Sequence, residues 1–317
     1  MSLTKILLIA GGALAAAGLI IGGITFAVFG FDTTKMSTSK YTTNTYEADK
    51  GFMNISIEGD TEDIVFVKSD DDNCKLVCYE EVDRPHDVKV ENNTLTVTRK
   101  NKAYWNFGIN FEEPKMTVYL PETIYDDIKI KSDTGDIDIP EEFAFDKMEL
   151  SVDTGDVKVR SSVNEQISIR TSTGDMDLAD IEASELKLET DTGRISINDV
   201  DIDGDIDIKV DTGKVTLEKI SCNDLISKGD TGAITLRSVM AKGKYHIERS
   251  TGDVRFESCD AQEIYVRTHT GDVSGNLLSD KVFITETDTG SIDVPKTTTG
   301  GKCEIKTDTG DIRISIG

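Results

Sequence analysis

The carboxylates are the residues of this 317-residue chain with the most chemical promise, and they recur on a fixed period. Asp133 and Asp136, Asp153 and Asp156, Asp191, Asp211, Asp253, Asp272, Asp288, Asp308 and Asp311 flank a repeated Thr-Gly pair. Stacked about 5 Å apart, such carboxylates would repel one another, and a hard cation such as Ca²⁺, which takes about six to eight oxygens, would relieve the repulsion. Asp133, Asp136, Asp153 and Asp156 are the candidate ligands. Against this, Arg194, Lys214, Ala233, His269 and Ser291 interrupt the rows, and the Gly-Gly-x-Gly-x-Asp pattern of calcium-binding β-rolls is missing. Turn capping on a hydrated edge is the reading adopted, with no metal and no cofactor expected.

Catalytic constellations are thin. His86, His246 and His269 lie far apart in the chain, no serine sits in a nucleophile elbow, and no phosphate-loop or dinucleotide fingerprint occurs. Carboxylate pairs for glycoside cleavage exist at many spacings, but an acidic repeat supplies them by abundance. The chain therefore reads as a non-enzyme. Cys74, Cys78, Cys222, Cys259 and Cys303 show neither CxxC spacing nor nearby histidines, so they carry no metal motif. Cys74 and Cys78 would lie about 13 Å apart on one extended strand, beyond disulfide reach. Buried small hydrophobes are their expected role. The threonines before the glycines, among them Thr134, Thr154, Thr192, Thr212 and Thr309, form either a hydroxyl ladder between repeats or a flat array for a polysaccharide or ordered surface. Trp105, with Tyr104, Phe107 and Phe111, is the one aromatic cluster, read as packing under an N-terminal cap, with a partner contact as the alternative.

What positions these residues is a repeat. Gly135, Gly155, Gly174, Gly193, Gly213, Gly232, Gly252, Gly271, Gly290 and Gly310 each follow a threonine and are spaced by 19 or 20 residues. Two and four residues after the glycine both positions are apolar in nine of the ten copies, as at Ile137 and Ile139. Seven and five residues before it both are apolar in eight, as at Leu186 and Leu188. Such alternation marks strands with one buried face on either side of a corner. The glycine implies a positive φ or a backbone approach that a Cβ would obstruct. A further apolar point often falls seven residues after it, at Ile181, Val200, Ile220 and Val239, and is expected to pin the remaining connection inward. The pattern reaches back to Ile55, Ile57, Ile64 and Phe66 around Asp60-Thr61-Glu62-Asp63, with Glu62 in the glycine's place.

Two architectures meet this pattern: a β-solenoid (single-stranded parallel β-helix) of ~20-residue coils, or an antiparallel β-meander with Thr-Gly hairpins. The solenoid is favoured because only one turn per unit carries a turn signature, and a meander reverses tightly at both ends.

The chain's formal charge of −24 opposes phosphate backbones and excludes a nucleic-acid partner. Residues 6–31 form an uncharged run long enough, at about 1.5 Å per residue, to span about 30 Å of hydrocarbon. It reads as a transmembrane anchor helix, with Lys5 before it and Asp32 after it placing residues 1–5 in the cytoplasm and the rest outside. Residues 32–50 then form a polar stalk, 51–127 a degenerate β-repeat or cap, and 128–317 the regular array.

At the repeats, SDTGDIDI and VDTGDVKV among them, and at the segment KMTVYLPETIYDDIKIKSDTGDIDI, the chain resembles the LiaG-like family of bacterial β-strand-repeat adhesins over roughly residues 50–317. The resemblance implies a membrane-anchored exported domain, some members being tied to cell-envelope stress, and it transfers no catalytic residue. The expectation is a single-pass cell-membrane protein whose extracytoplasmic array meets an envelope protein or glycan. A β-helix carbohydrate-active enzyme and a Ca-stabilised surface assembly are the alternatives.

Overall fold

The computed structural model describes residues 39–48, 51–71, 73–100 and 113–317. The anchor read at 6–31, its flanking tail, residues 32–38 and 49–50 of the stalk, and the cluster of Tyr104, Trp105, Phe107 and Phe111 lie outside the described residues, whereas Tyr41–Ala48 within the stalk is a strand. Among the described residues no helix is long and apolar enough to cross a membrane, and the regular elements are strands.

Alternation sets the local structure. In Ile206–Thr212, Ile206, Ile208 and Val210 point into the core, and Asp207 and Lys209 face water. The strand pairs in parallel with its neighbours, Leu186 against Ile206 against Leu225, so like residues stack on like. The array is therefore a β-solenoid. Antiparallel pairing is confined, among the described residues, to the N-terminal end.

Each regular coil has three straight segments rather than two strands and a connection. Residues 215–218 and 220–222 form two sides and Leu225–Thr231 the third. The points expected merely to pin a loop, Ile181, Val200, Ile220 and Val239, are themselves paired in parallel from coil to coil. Their corner is turned by residues in the left-handed region: Asp180, Asp199, Lys219, Ser238 and Ser258, with φ between 51° and 57°. Along the axis, the buried aliphatic side chains form one continuous core. Each such side chain contributes about 1.5–3 kcal/mol when buried, but only if the next coil covers it.

The two ends differ. At the N-terminal end, Asn54–Glu58 and Asp63–Lys68 form a coil on the regular array, with Ile55 against Ile128 and Ile64 against Ile137. Thr94–Arg99 and Lys115–Leu120 stack on that coil. Cys74–Glu81 and Tyr41–Ala48 then extend one side, and His86–Glu91 the other, by antiparallel pairing. At the other end the coils are out of chain order. Residues 264–270 pair with Gly301–Thr309, and that strand in turn pairs with Lys281–Thr289. The later segment is thus wedged between two earlier ones, and Lys281–Thr289 becomes the outermost strand.

Candidate functional site

The Thr-Gly edge is held together by backbone contact. A Cβ on Gly193 would lie 1.9 Å from the carbonyl oxygen of Gly174, and its φ is 157°, so both reasons for glycine apply at this corner. The aspartate after the glycine has a specific partner. Asp136 Oδ1 accepts the backbone N–H of Asp156 at 2.8 Å, Asp156 Oδ1 that of Asp175 at 2.7 Å, and Asp175 Oδ1 that of Arg194 at 2.6 Å. The same ladder runs from Asp253 to Asp272 to Asp311 to Ser291. Of the four candidate cation ligands, Asp136 and Asp156 stand in this ladder; Asp133 and Asp153 are exposed on the far side of the threonine. Asp133 also lines a groove with Glu58, Asp60, Arg84 and Lys131. The threonine column is exposed and in register, as at Thr192 and Thr212. A hydroxyl-to-hydroxyl bond occurs instead in the interior, where Thr171 Oγ1 donates to Thr190 Oγ1 at 2.9 Å.

The broad side built from the strands before each glycine presents outward columns in which opposite charges meet between coils. Arg170 and Lys209 both reach Glu189, at 3.2 and 3.1 Å. Lys129 reaches Glu149 at 2.8 Å, and Lys228 reaches Glu248 at 3.5 Å. His246 stacks on Tyr265 with centroids 4.7 Å apart in the same face. At about 4.8 Å per strand, this face runs on the order of 50 Å.

A second, buried constellation lies in the N-terminal cap, where sequence reasoning placed no site. Glu62, Glu80 and His86 are each at most 1% exposed. His86 Nε2 meets Glu62 Oε1 at 2.8 Å, and Nδ1 hydrogen-bonds Glu80 Oε2. Arg99 donates to Glu62 Oε2 at 2.5 Å, and Asp60 lies 2.9 Å from Arg84. Asn44 and the Tyr46 hydroxyl donate to the other oxygen of Glu80, Asn44 at 2.6 Å. Burial alone would push protons onto the glutamates, but hydrogen bonds from His86 hold both near pH 2, helped at Glu62 by the charges of Arg99 and His86 and at Glu80 by hydrogen bonds from Tyr46 and Asn44. Burial likewise disfavours a charged ring, yet hydrogen bonds with Cys78, Glu62 and Glu80 raise His86 to about 11. The ring is an imidazolium clamped between carboxylates.

All five cysteines are buried and free. Burial pushes Cys74, Cys222 and Cys303 up to about 12, which suppresses thiolate chemistry. Cys78 differs in position, since its sulfur lies beside Glu80 and His86. His86 stands eight positions after Cys78 along the chain, a spacing that matches no metal motif and becomes legible only when the strand Cys74–Glu81 and the one that follows are placed. A further buried cation, Arg249, is 3% exposed. It donates to Ser227 Oγ at 2.8 Å and to the Glu248 carbonyl at 2.9 Å.

The profile of the family described as Toastrack DUF4097 matches residues 52–206 and again 201–317. No curated protein matches the chain. Among solved structures, a proposed lipid-binding protein from Parabacteroides distasonis ATCC 8503 is similar at 16% identity and a TM-score of 0.53, over 77% of this chain and 98% of that one. A proposed adhesin from Bacteroides fragilis NCTC 9343 shares 17% identity over 87% of this chain and 97% of its own, with a TM-score of 0.42. A proposed adhesin from the same Parabacteroides strain shares 13% over 85% and 98%, also at 0.42. At these identities the likeness concerns the fold.

Proposed function

This chain belongs to the Toastrack DUF4097 family, and from that premise we propose that it is a membrane-anchored, extracytoplasmic scaffold that binds a cell-envelope protein or glycan as an adhesin does. The observation that carries the reading is the broad outer face, whose side chains repeat at fixed spacing across coil after coil with charges paired between them. Such a face suits an extended partner, because each coil supports the next and outward residues vary without disturbing the core. The anchor at 6–31 tethers it to the membrane, and a LiaG-like role in envelope stress follows from the resemblance of its repeats.

The test immobilises residues 39–317 and challenges them with solubilised envelope proteins and purified wall glycans. Saturable retention that Arg170→Glu and Lys209→Glu together weaken by about tenfold supports the reading, since reversing two charges in one face costs on the order of 1.4 kcal/mol. Retention of neither class removes it.

A further inference from the structure

We propose that Cys78, Glu80 and His86 form a buried site for a borderline divalent transition metal of the zinc class. Cys78 and Glu80 lie two residues apart on Cys74–Glu81, so the strand's alternation sends both side chains to the same buried face. His86 opens the next strand and folds back onto them. The Cys78 sulfur, a Glu80 oxygen and an imidazole nitrogen all lie within 4.8 Å of one another, a span that one ion about 2.0–2.3 Å from each ligand can bridge.

The surroundings are those of a ligating histidine. Glu62 holds Nε2 at 2.8 Å and is itself gripped by Arg99, so Nδ1 is the nitrogen turned toward Glu80. Carboxylates hold metal-bound imidazoles in this way, and they fix the tautomer and the ring direction. Asn44 and Tyr46 occupy one oxygen of Glu80, which leaves Oε2 on the His86 side. A set of one sulfur, one nitrogen and one oxygen disfavours Ca²⁺ and Mg²⁺, which want oxygen alone. Three protein ligands leave the fourth position of a tetrahedron open. The ion would take Cys78 as a thiolate and His86 through a ring nitrogen free of its proton, so binding releases protons. Bound there, the ion would staple the segments 74–81 and 86–91 together over Glu62, at the end of the rod nearest the stalk.

The full chain, stripped of metal with chelator and dialysed against Co²⁺ or Zn²⁺, provides the test. About one ion per chain is expected for the wild type and for Cys222→Ser, a control at another buried cysteine, with a thiolate-to-Co²⁺ charge-transfer band in both. Cys78→Ser should abolish the band and weaken binding at least about tenfold. The proposal is overturned if folded wild-type protein takes up no ion, if it binds Co²⁺ without the band, or if Cys78→Ser binds as well as wild type. Should Cys78→Ser fail to fold, the presence or absence of the band in the wild type decides.

Discussion

Glu62 stands where every regular coil has glycine, and its carbonyl still meets the next corner as a glycine's would, 2.4 Å from where a Cβ on Gly135 would lie. Its side chain turns inward to His86 and Arg99, and pH should report on that cluster. The glutamates, held near 2 against an ordinary 4.5, contribute stability that is present above about pH 4.5 and lost as pH falls toward 2. His86, raised to about 11 from 6.5, contributes fully below 6.5 and progressively less as pH climbs toward 11. Chemical denaturation of the metal-free chain should therefore give a cap stability that is greatest between about 4.5 and 6.5, and His86→Gln should flatten its alkaline limb. The aspartate ladder makes a second prediction. Asp156→Asn keeps the acceptor for Asp175 N–H and should be nearly neutral, whereas Asp156→Ala should cost about 1 kcal/mol in urea denaturation. If Asn proved as damaging as Ala and Ca²⁺ raised the melting temperature, the edge would be a cation site. From sequence, Glu62 was visible as a departure from the repeat. Its partners were not, because the short segments that carry His86 and Arg99 have no repeat to fix their register.

At the scale of the coil, the alternation around Thr-Gly was fully readable because each position recurs with the same chemistry. The third side was not, because its corner is a backbone conformation rather than a residue type. Asp180, Asp199, Lys219, Ser238 and Ser258 share a positive φ and little else. Each can adopt this region at a cost of about 1–2 kcal/mol, unlike the Thr-Gly corner, where the neighbouring carbonyl leaves no room. Gly193→Ala should therefore destabilise by about 2–4 kcal/mol, combining backbone strain with overpacking, while Lys219→Gly should be neutral or slightly stabilising in the same thermal or urea assay. One of the two copies whose apolar pattern fails before the glycine, the one with Ser227, is equally informative. Ser227 accepts from the buried Arg249, and a side chain on Gly229 would come within 3.1 Å of that guanidinium. The two irregularities in sequence are thus one accommodation in space. No carboxylate pairs with Arg249 among the described residues, so Arg249→Met should leave stability equal or higher, as measured by the denaturation midpoint.

For the whole molecule, the parallel stack was legible and the order of its last coils was not. Nothing in the repeat says which copy sits beside which, because every Thr-Gly unit offers the same edge. Pairing nonetheless places Gly301–Thr309 against 264–270 and leaves Lys281–Thr289 outside it. Removing 301–317 should therefore release 281–293 as well. Hydrogen exchange would then show protection lost back to about residue 278, while 206–231 keeps its protection. Loss confined to the deleted residues would contradict this arrangement.

The same inversion gives assembly a schedule. A simple stack can grow one rung at a time, each rung finished before the next is made. Here the stretch 281–293 must stand aside until 301–316 has slid in beneath it, so the final two rungs settle together or not at all. Completion of the rod becomes a single joint event, and a chain interrupted between those two stretches would be left with a loose tail for a protease to find.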